Sequence, residues 1–599
     1  MTTAIRNLVR AVARIGQSMS VSPGTDSLKG GSEIIAARRL SRNAIAAAFL
    51  FSVFINLLML TSPLYMLQVY DRVLVSRSEP TLLALTLLMT FLFLIMGLLD
   101  HARGRVLARI GLRFQEALDA RVLAAAFRRL AISPRDTNAL AAQRDLEAVA
   151  RLWHSPVLAA LMDLPWSPVF AAALFVFHPW MGVLALAGAA VLALITAANQ
   201  WATEARLNEA TLANLAAERQ AENLKSESEL IRALGMTGHA FARWRRLRRK
   251  AQALGAATSD TAGAYGTISR IFRIFLQSAM LGLGAWLVLR GELSPGAMIA
   301  GSVLMGRALQ PIEIAVGQWP VLTKARASRA RLARLLTDVP PEVPRTALPR
   351  PAARLEAQGL VVVPPGEAQV TLRGVSFTLA PGQAMGVIGP SGSGKSTLAR
   401  ALIGLWRPGG GRVRLDGATL DQYDPDVLGS YIGYLPQSVA LFDGTIAENI
   451  ARLDAGADPA RIVEAAQKAA VHEMILQLPQ GYDTPVSTMG GRLSGGQIQR
   501  IGLARAFYGD PVILILDEPN SNLDNDGSNA LNQAIRSAKA MGCAVLIMAH
   551  RPAAIQECDL LLVLKDGMVQ AYGPREKVLR DTVKNAGEIA RSSAPGGVS

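Results

Sequence analysis

Apolar residues run in long stretches through the first half of the chain and in short, glycine-broken runs through the second. The long stretches are Ala44–Thr61, Leu82–Leu99, Pro156–Phe177, Met181–Ala198, Ile274–Leu289 and Pro295–Val316. A helix of about 20 apolar residues crosses roughly 30 Å of hydrocarbon, so the pattern predicts six membrane spans. Asp163 and Pro165 interrupt the third, the fifth extends back past Arg273, and the sixth carries Arg307 and Glu313. Residues 100–155 and 199–265 alternate Ala and Leu with charge. They read as membrane helices continuing beyond the lipid, with separate soluble insertions as the alternative.

Beyond the sixth span, Val339-Pro-Pro-Glu-Val-Pro344 and Pro349-Arg-Pro351 break any helix, and β-branched runs begin. The expected division is a segment 1–40, a membrane domain 41–325, a linker 326–350, a second domain 351–577 and a disordered tail 578–599. Within the first segment, Ile5, Leu8, Val9 and Val12 face away from Arg6, Arg10 and Arg14 on a helix. That suits either contact with anionic lipid or a loose tail.

Charge sharpens the picture. The net charge is +16 with only 18% charged residues, which excludes a disordered chain. Residues 1–340 carry +17 and residues 341–599 carry −1. The excess concentrates in the two long connections, with ten basic residues each. By the bias of Lys and Arg toward cytoplasmic loops, both connections and both termini lie inside. A nucleic-acid surface is not indicated. Cys543 and Cys558 are the only cysteines, so no disulfide framework is expected.

The second half carries the chemistry. Met385–Gly389 reads as a buried strand, followed by Gly389-Pro390-Ser391-Gly392-Ser393-Gly394-Lys395-Ser396 and a helical run from Thr397. Strand, glycine loop and helix in that order make a phosphate-binding loop. Its backbone N–H groups converge on phosphate at a helix N-terminus, Lys395 reaches the β- and γ-phosphates, and Ser396 binds Mg²⁺. A second buried run, Val512–Leu516, ends in Asp517-Glu518. Asp517 fits a Mg²⁺ ligand, and Glu518 fits a group that polarises attacking water.

Leu493-Ser-Gly-Gly-Gln497, with this motif order, resembles the ATP-binding-cassette ATPases. The resemblance implies that Ser494, Gly495, Gly496 and Gln497 contact nucleotide held by the opposite subunit. It makes Gln437 the Q-loop glutamine, catalytic and a metal ligand, Asp524 a D-loop residue, and His550 the switch histidine. Two family features are missing. No aromatic stands near Val363 to stack on adenine, and no glutamate stands near Thr488. The implied fold is an α-helical transmembrane domain of six spans followed by an α/β P-loop cassette, working as a homodimer on ATP and Mg²⁺.

Asn56–Leu74 is similar to the first span and following loop of type I secretion transporters, in the protease and S-layer exporter branch. That branch implies a bacterial inner-membrane exporter of an unfolded protein with a C-terminal signal. Its partners would be a periplasmic adaptor, or membrane fusion protein, and a TolC-like outer-membrane channel. Arg270 and Arg273, one helical turn apart, are candidates for the substrate pathway; the alternative is a topological anchor. The rival functions are a flippase for lipid or small hydrophobic compounds and a soluble cassette ATPase.

Overall fold

The computed structural model describes residues 29–134, 136–342, 345–487, 493–521, 523, 525–549 and 555–582. It divides into two compact units, 1–130 with 135–341, and 131–134 with 342–599.

The first unit is helical. Five helices are long and apolar enough to cross a membrane: Arg42–Ser76, Glu79–Ile132, Pro156–Phe177, Pro179–Ser226 and Thr237–Leu289. A sixth span results if Pro295–Ala315 and Trp319–Asp338, bent by 42° at their junction, count as one. The helices of 54, 48 and 53 residues rise roughly 70–80 Å at 1.5 Å per residue. That is more than twice the hydrocarbon thickness, so the connections are continuations of the spans rather than inserted domains.

Two expected boundaries move. Residues 326–338, assigned above to a linker, belong to the helix Trp319–Asp338, which the Pro340-Pro341 step then halts. Leu332, Ala333, Leu335 and Leu336 are buried on that helix in a cluster with Leu146 and Val149 of the helix Thr137–Trp153, which packs along it. Those contacts outweigh the charge of Lys324, Arg326, Arg329, Arg331 and Arg334. Residues 578–582, assigned to the tail, complete the helix Arg575–Thr582, whose Val578 is buried. The helix Lys29–Arg39 buries Ile34 and Ala37 in the same cluster as Leu332. The Ile5–Arg14 pattern lies outside the described residues.

One cluster of polar groups joins the first three spans. Arg103 of the second span donates from Nη1 to Asp163 Oδ1 (2.9 Å) and to Ser52 Oγ (2.8 Å). Its Nη2 donates to Asp100 Oδ1 at 2.7 Å. Asn56 of the first span donates to Asp163 Oδ1 at 2.8 Å. Asp163 thus ties three spans together just before the 3₁₀ segment Leu164–Trp166, where Pro165 lacks the N–H that a continuing helix would use. Farther along the first span, Val69–Val73 forms a π turn. From it Asp71 accepts hydrogen bonds from Ser294 Oγ (2.5 Å) and Gly296 N (2.7 Å). These are at the start of the helix Pro295–Gly317, whose N-terminal amides need an acceptor.

The second unit is a cassette of two main sheets and a short two-stranded one, Gly444–Thr445 with Pro485–Val486. Four antiparallel strands run in the order Leu372–Leu379, Leu355–Val362, Gly410–Leu415, Ala418–Thr419. Six run in the order Met568–Pro574, Leu560–Lys565, Ala384–Ile388, Ala544–Ala549, Ile513–Asp517, Ile432–Leu435, parallel except for the first pair. The strands Ile513–Asp517 and Ala544–Ala549 are buried at every position. That is why they read as unbroken apolar runs instead of alternating ones.

Removing one partner of a buried ion pair leaves an uncompensated charge, at a cost of about 3 kcal/mol or more. Asp163→Ala is expected to lower the thermal midpoint of the detergent-solubilised protein well below that of Asn56→Ala, which removes one neutral donor. Pairing Asp163→Leu with Arg103→Met should recover most of the loss. Equal midpoints for the two single variants would show that the Arg103 pair contributes no stability.

Candidate nucleotide site

The site is built where parallel strands end, the usual place for ligands on such a sheet. The strand Ala384–Ile388 runs into the loop 389–394, and the helix Lys395–Leu402 follows. Two glycines are required there. At Gly389 a Cβ would lie 2.2 Å from Leu564 O, and Gly394 holds φ at +98°. Lys395 is buried, and its Nζ donates to Gly389 O (2.8 Å) and Pro390 O (3.0 Å), arching over the loop. Burial pulls its pKa below the usual lysine value, opposed by the charges of Glu518 and Asp517.

Two strands away, Asp517 closes Ile513–Asp517 and is buried. Burial raises its pKa; a hydrogen bond from Ser396 counters that, and the neighbouring Glu518 adds to it. Among the described residues, Asp517 Oδ1 has no hydrogen-bond partner. Such an oxygen is costly unless something binds it. The Ser396 hydroxyl bonds this carboxylate, and with the Gln437 amide oxygen the two could supply the oxygen donors that suit Mg²⁺. Among the described residues no three His, Cys, Asp or Glu side chains converge on a metal position. An octahedral Mg²⁺ held through one carboxylate and substrate phosphates needs none.

Gln437 follows the strand Ile432–Leu435 and donates from Nε2 to Glu518 Oε2 at 3.0 Å. Glu518 has φ of +51°, a left-handed conformation that costs a non-glycine residue about 1–2 kcal/mol. The bend has a geometric use. Successive residues of a strand point to opposite faces, and the turn at Glu518 lets both carboxylates act on Lys395.

Ser494 and Gln497 are brought together differently. Ser494 caps the helix Gly495–Phe507: its Oγ accepts from Gln497 N (3.3 Å), and Gln497 Oε1 accepts from Ser494 N (2.8 Å). This capping box exposes the first turn of the helix with Gly495 and Gly496. Asp524, His550 and Thr488 lie outside the described residues. Val363, just past the strand Leu355–Val362, is about one-third exposed.

Arg273 pairs with Glu313 of the helix Pro295–Gly317 at 2.5 Å, and Arg270 is exposed one turn away. The sequence identified Glu313 only as an interruption of the sixth span. It also left out Gln499. This buried amide donates to Glu518 O (3.2 Å) and Pro519 O (2.5 Å), and its oxygen accepts from Ser521 Oγ (3.5 Å). Gln499 shares a helix face with the buried Gly502, Leu503 and Ala506, so an amide on an apolar face was the available signal.

Models of the ABC transporter transmembrane region and of the ABC transporter match residues 45–312 and 372–521. The type I secretion system ATP-binding protein PrsD of Rhizobium meliloti is 44% identical, over 92% of this chain and 94% of that one. The cyclolysin secretion/processing ATP-binding protein CyaB of Bordetella pertussis is 30% identical, over 90% and 76%. Among solved structures, a bacterial Atm1-family ABC exporter with ATP bound superimposes with a TM-score of 0.78 at 22% identity, covering 94% of this chain and 100% of that one. A helical membrane unit joined to a cassette with a P-loop, and a relative matched along nearly its full length, make the chain a member of the ATP-binding-cassette transporters, with an ATPase domain, alongside the type I secretion ATP-binding proteins.

Proposed function

We propose that the protein is the inner-membrane ATPase of a type I secretion system, exporting an unfolded polypeptide that carries a C-terminal signal. The 44% identity to PrsD along nearly its whole length carries this reading; the name of CyaB points the same way. The working form is a homodimer with cytoplasmic cassettes and termini. A periplasmic adaptor and an outer-membrane channel continue the route.

In each ATP site, backbone N–H groups from Ser391 to Thr397 cradle the phosphates, and Lys395 neutralises their charge. Ser396, Asp517 and Gln437 would hold Mg²⁺, which would supply further neutralisation at the γ-phosphate. Glu518 takes a proton from the attacking water. Gln437 fixes one of its carboxylate oxygens and keeps its own amide oxygen for the metal. His550 and Asp524 complete the site, and Ser494, Gly495, Gly496 and Gln497 of the partner subunit close it. Catalysis is then mainly positioning and charge stabilisation.

Glu518→Gln is expected to retain ATP binding and slow hydrolysis at least a hundredfold, whereas Lys395→Ala weakens capture of the nucleotide itself. Wild-type turnover by Glu518→Gln would remove Glu518 as the base. In cells supplying the adaptor and channel, secretion of a signal-bearing protein should stop with either variant; secretion unaffected by both would reject the export reading.

Burial raises the pKa of Asp517 above its unfolded value, so its protonated form is the one that favours folding. That contribution is complete below the unfolded pKa and is lost as pH rises through the folded pKa, leaving the ionised group a liability at neutral pH. Asp517→Asn should therefore raise the thermal midpoint of the nucleotide-free transporter at pH 7 while abolishing Mg²⁺-dependent hydrolysis. A lower midpoint, or unchanged hydrolysis, contradicts this assignment.

Arg270 and Arg273 are proposed to admit an acidic chain. Replacing both with Gln should lower export of an acidic substrate more than that of a neutral one bearing the same signal. Replacing both with Lys should preserve it, since a lysine at position 273 keeps a positive charge beside Glu313. Equal effects on the two substrates would leave the pair as anchors.

A further inference from the structure

We propose that Gln499 is a positioning residue for ATP hydrolysis, locking the backbone bend that aims Glu518 and joining that bend to the helix bearing the Ser494–Gln497 segment. The proposal rests on the reading of Glu518 as the base.

The bend needs holding. A left-handed glutamate persists only where its surroundings over-determine it. Among the described residues, three groups outside its own turn hold Glu518. Its N–H donates to Met548 O on the neighbouring strand at 3.0 Å. Its side chain accepts from Gln437. Its carbonyl, with that of Pro519, accepts from the Gln499 amide. The first two come from strands of the same sheet or the loop after one; only Gln499 comes from the Gly495–Phe507 helix. The chemistry demands an amide: one NH₂ group meets two carbonyls, and its oxygen faces Ser521 Oγ at 3.5 Å. Glutamate there would set a carboxylate against carbonyl oxygens. Leucine would leave two carbonyls to other partners.

The consequence reaches across the dimer. Gln499 lies about one turn into the helix whose start, Ser494–Gly496, belongs to one ATP site, while Glu518 of the same chain belongs to the other. Movement of the helix as one site closes therefore bears directly on the main chain of the base in the second. Among the described residues, Gln499 makes this connection within one protomer.

The test uses the full-length transporter in detergent or nanodiscs, comparing Gln499→Leu, Gln499→Glu and Glu518→Gln with wild type. Without nucleotide, both Gln499 variants should speed amide hydrogen exchange at Glu518 and Ser521 at least tenfold. With MgATP, both should lower kcat tenfold to a hundredfold, with KM for ATP and binding of a fluorescent ATP analogue within about twofold of wild type. Gln499→Glu should regain activity relative to wild type as pH falls, because a protonated carboxyl donates again; Gln499→Leu should not. Unchanged exchange and kcat in Gln499→Leu would overturn the proposal. So would a kcat loss matched by equal loss of nucleotide binding, or a Gln499→Glu profile parallel to that of Gln499→Leu. If Glu518→Gln turned over at the wild-type rate, the reading of the base would fail instead, independently of the exchange result.

Discussion

A buried carboxylate oxygen without a hydrogen-bond partner among the described residues is the constraint around which the cassette is organised. Asp517 is held inside at a cost that burial imposes on its charge. The parallel sheet makes that position possible. Its strand is hydrogen-bonded on both sides and covered on both faces, so the chain end that carries Asp517 cannot relax toward water. The same sheet delivers Lys395, Gln437 and Glu518 to one edge, because parallel strands all end there. Glycine at 389 and 394 allows the loop to pass close enough to the neighbouring strands for that edge to be shared.

The membrane unit handles buried charge in the opposite way. Arg103 is nearly enclosed, and its guanidinium meets Asp163, Asp100 and Ser52, while Asn56 supplies a further donor to Asp163. Asp71 is similarly committed, to the open amide end of the helix Pro295–Gly317. Asn56 and Asp71 both belong to the Asn56–Leu74 stretch, as does Tyr65, whose hydroxyl meets Thr86 of the second span at 3.0 Å. The stretch by which the chain resembles secretion transporters is therefore also a set of fastenings from the first span to the second, third and sixth.

Much of this was legible beforehand. Long apolar runs announced the spans, and the P-loop, Asp517-Glu518 and Ser494–Gln497 announced the site, because each motif is local and its chemistry depends on neighbours in sequence. What stayed hidden depends on distant packing. The helix Trp319–Asp338 looks polar, with a basic residue in nearly every turn, and its burial of Leu332 and Leu336 follows only from the helices beside it. Glu313 gained meaning only when Arg273 was found opposite. Gln499 is one amide in a familiar motif, and nothing local tells that its partners are carbonyls about 20 residues onward. Asp163 was visible as an interruption of a span, but not as the group that joins it to Asn56 and Arg103.

The contrast between the two units explains where function resides. A charge met by carboxylates at both terminal nitrogens, such as Arg103, is committed within the fold, and its network can serve as fastening. A charge with an unmet oxygen, such as Asp517, keeps an interaction in reserve for whatever enters the site. Glu518 stands between these cases: its backbone is held by Met548 at the N–H and by Gln499 at the carbonyl, while its carboxylate is fixed at one oxygen by Gln437. The strain of its left-handed bend is small beside the cost of a misdirected base, since an ångström of displacement can cost a hundredfold in rate. A rigid main chain beneath a partly committed side chain is what proton transfer to a fixed carboxylate requires, and the cassette places that combination one residue beyond its most enclosed strand.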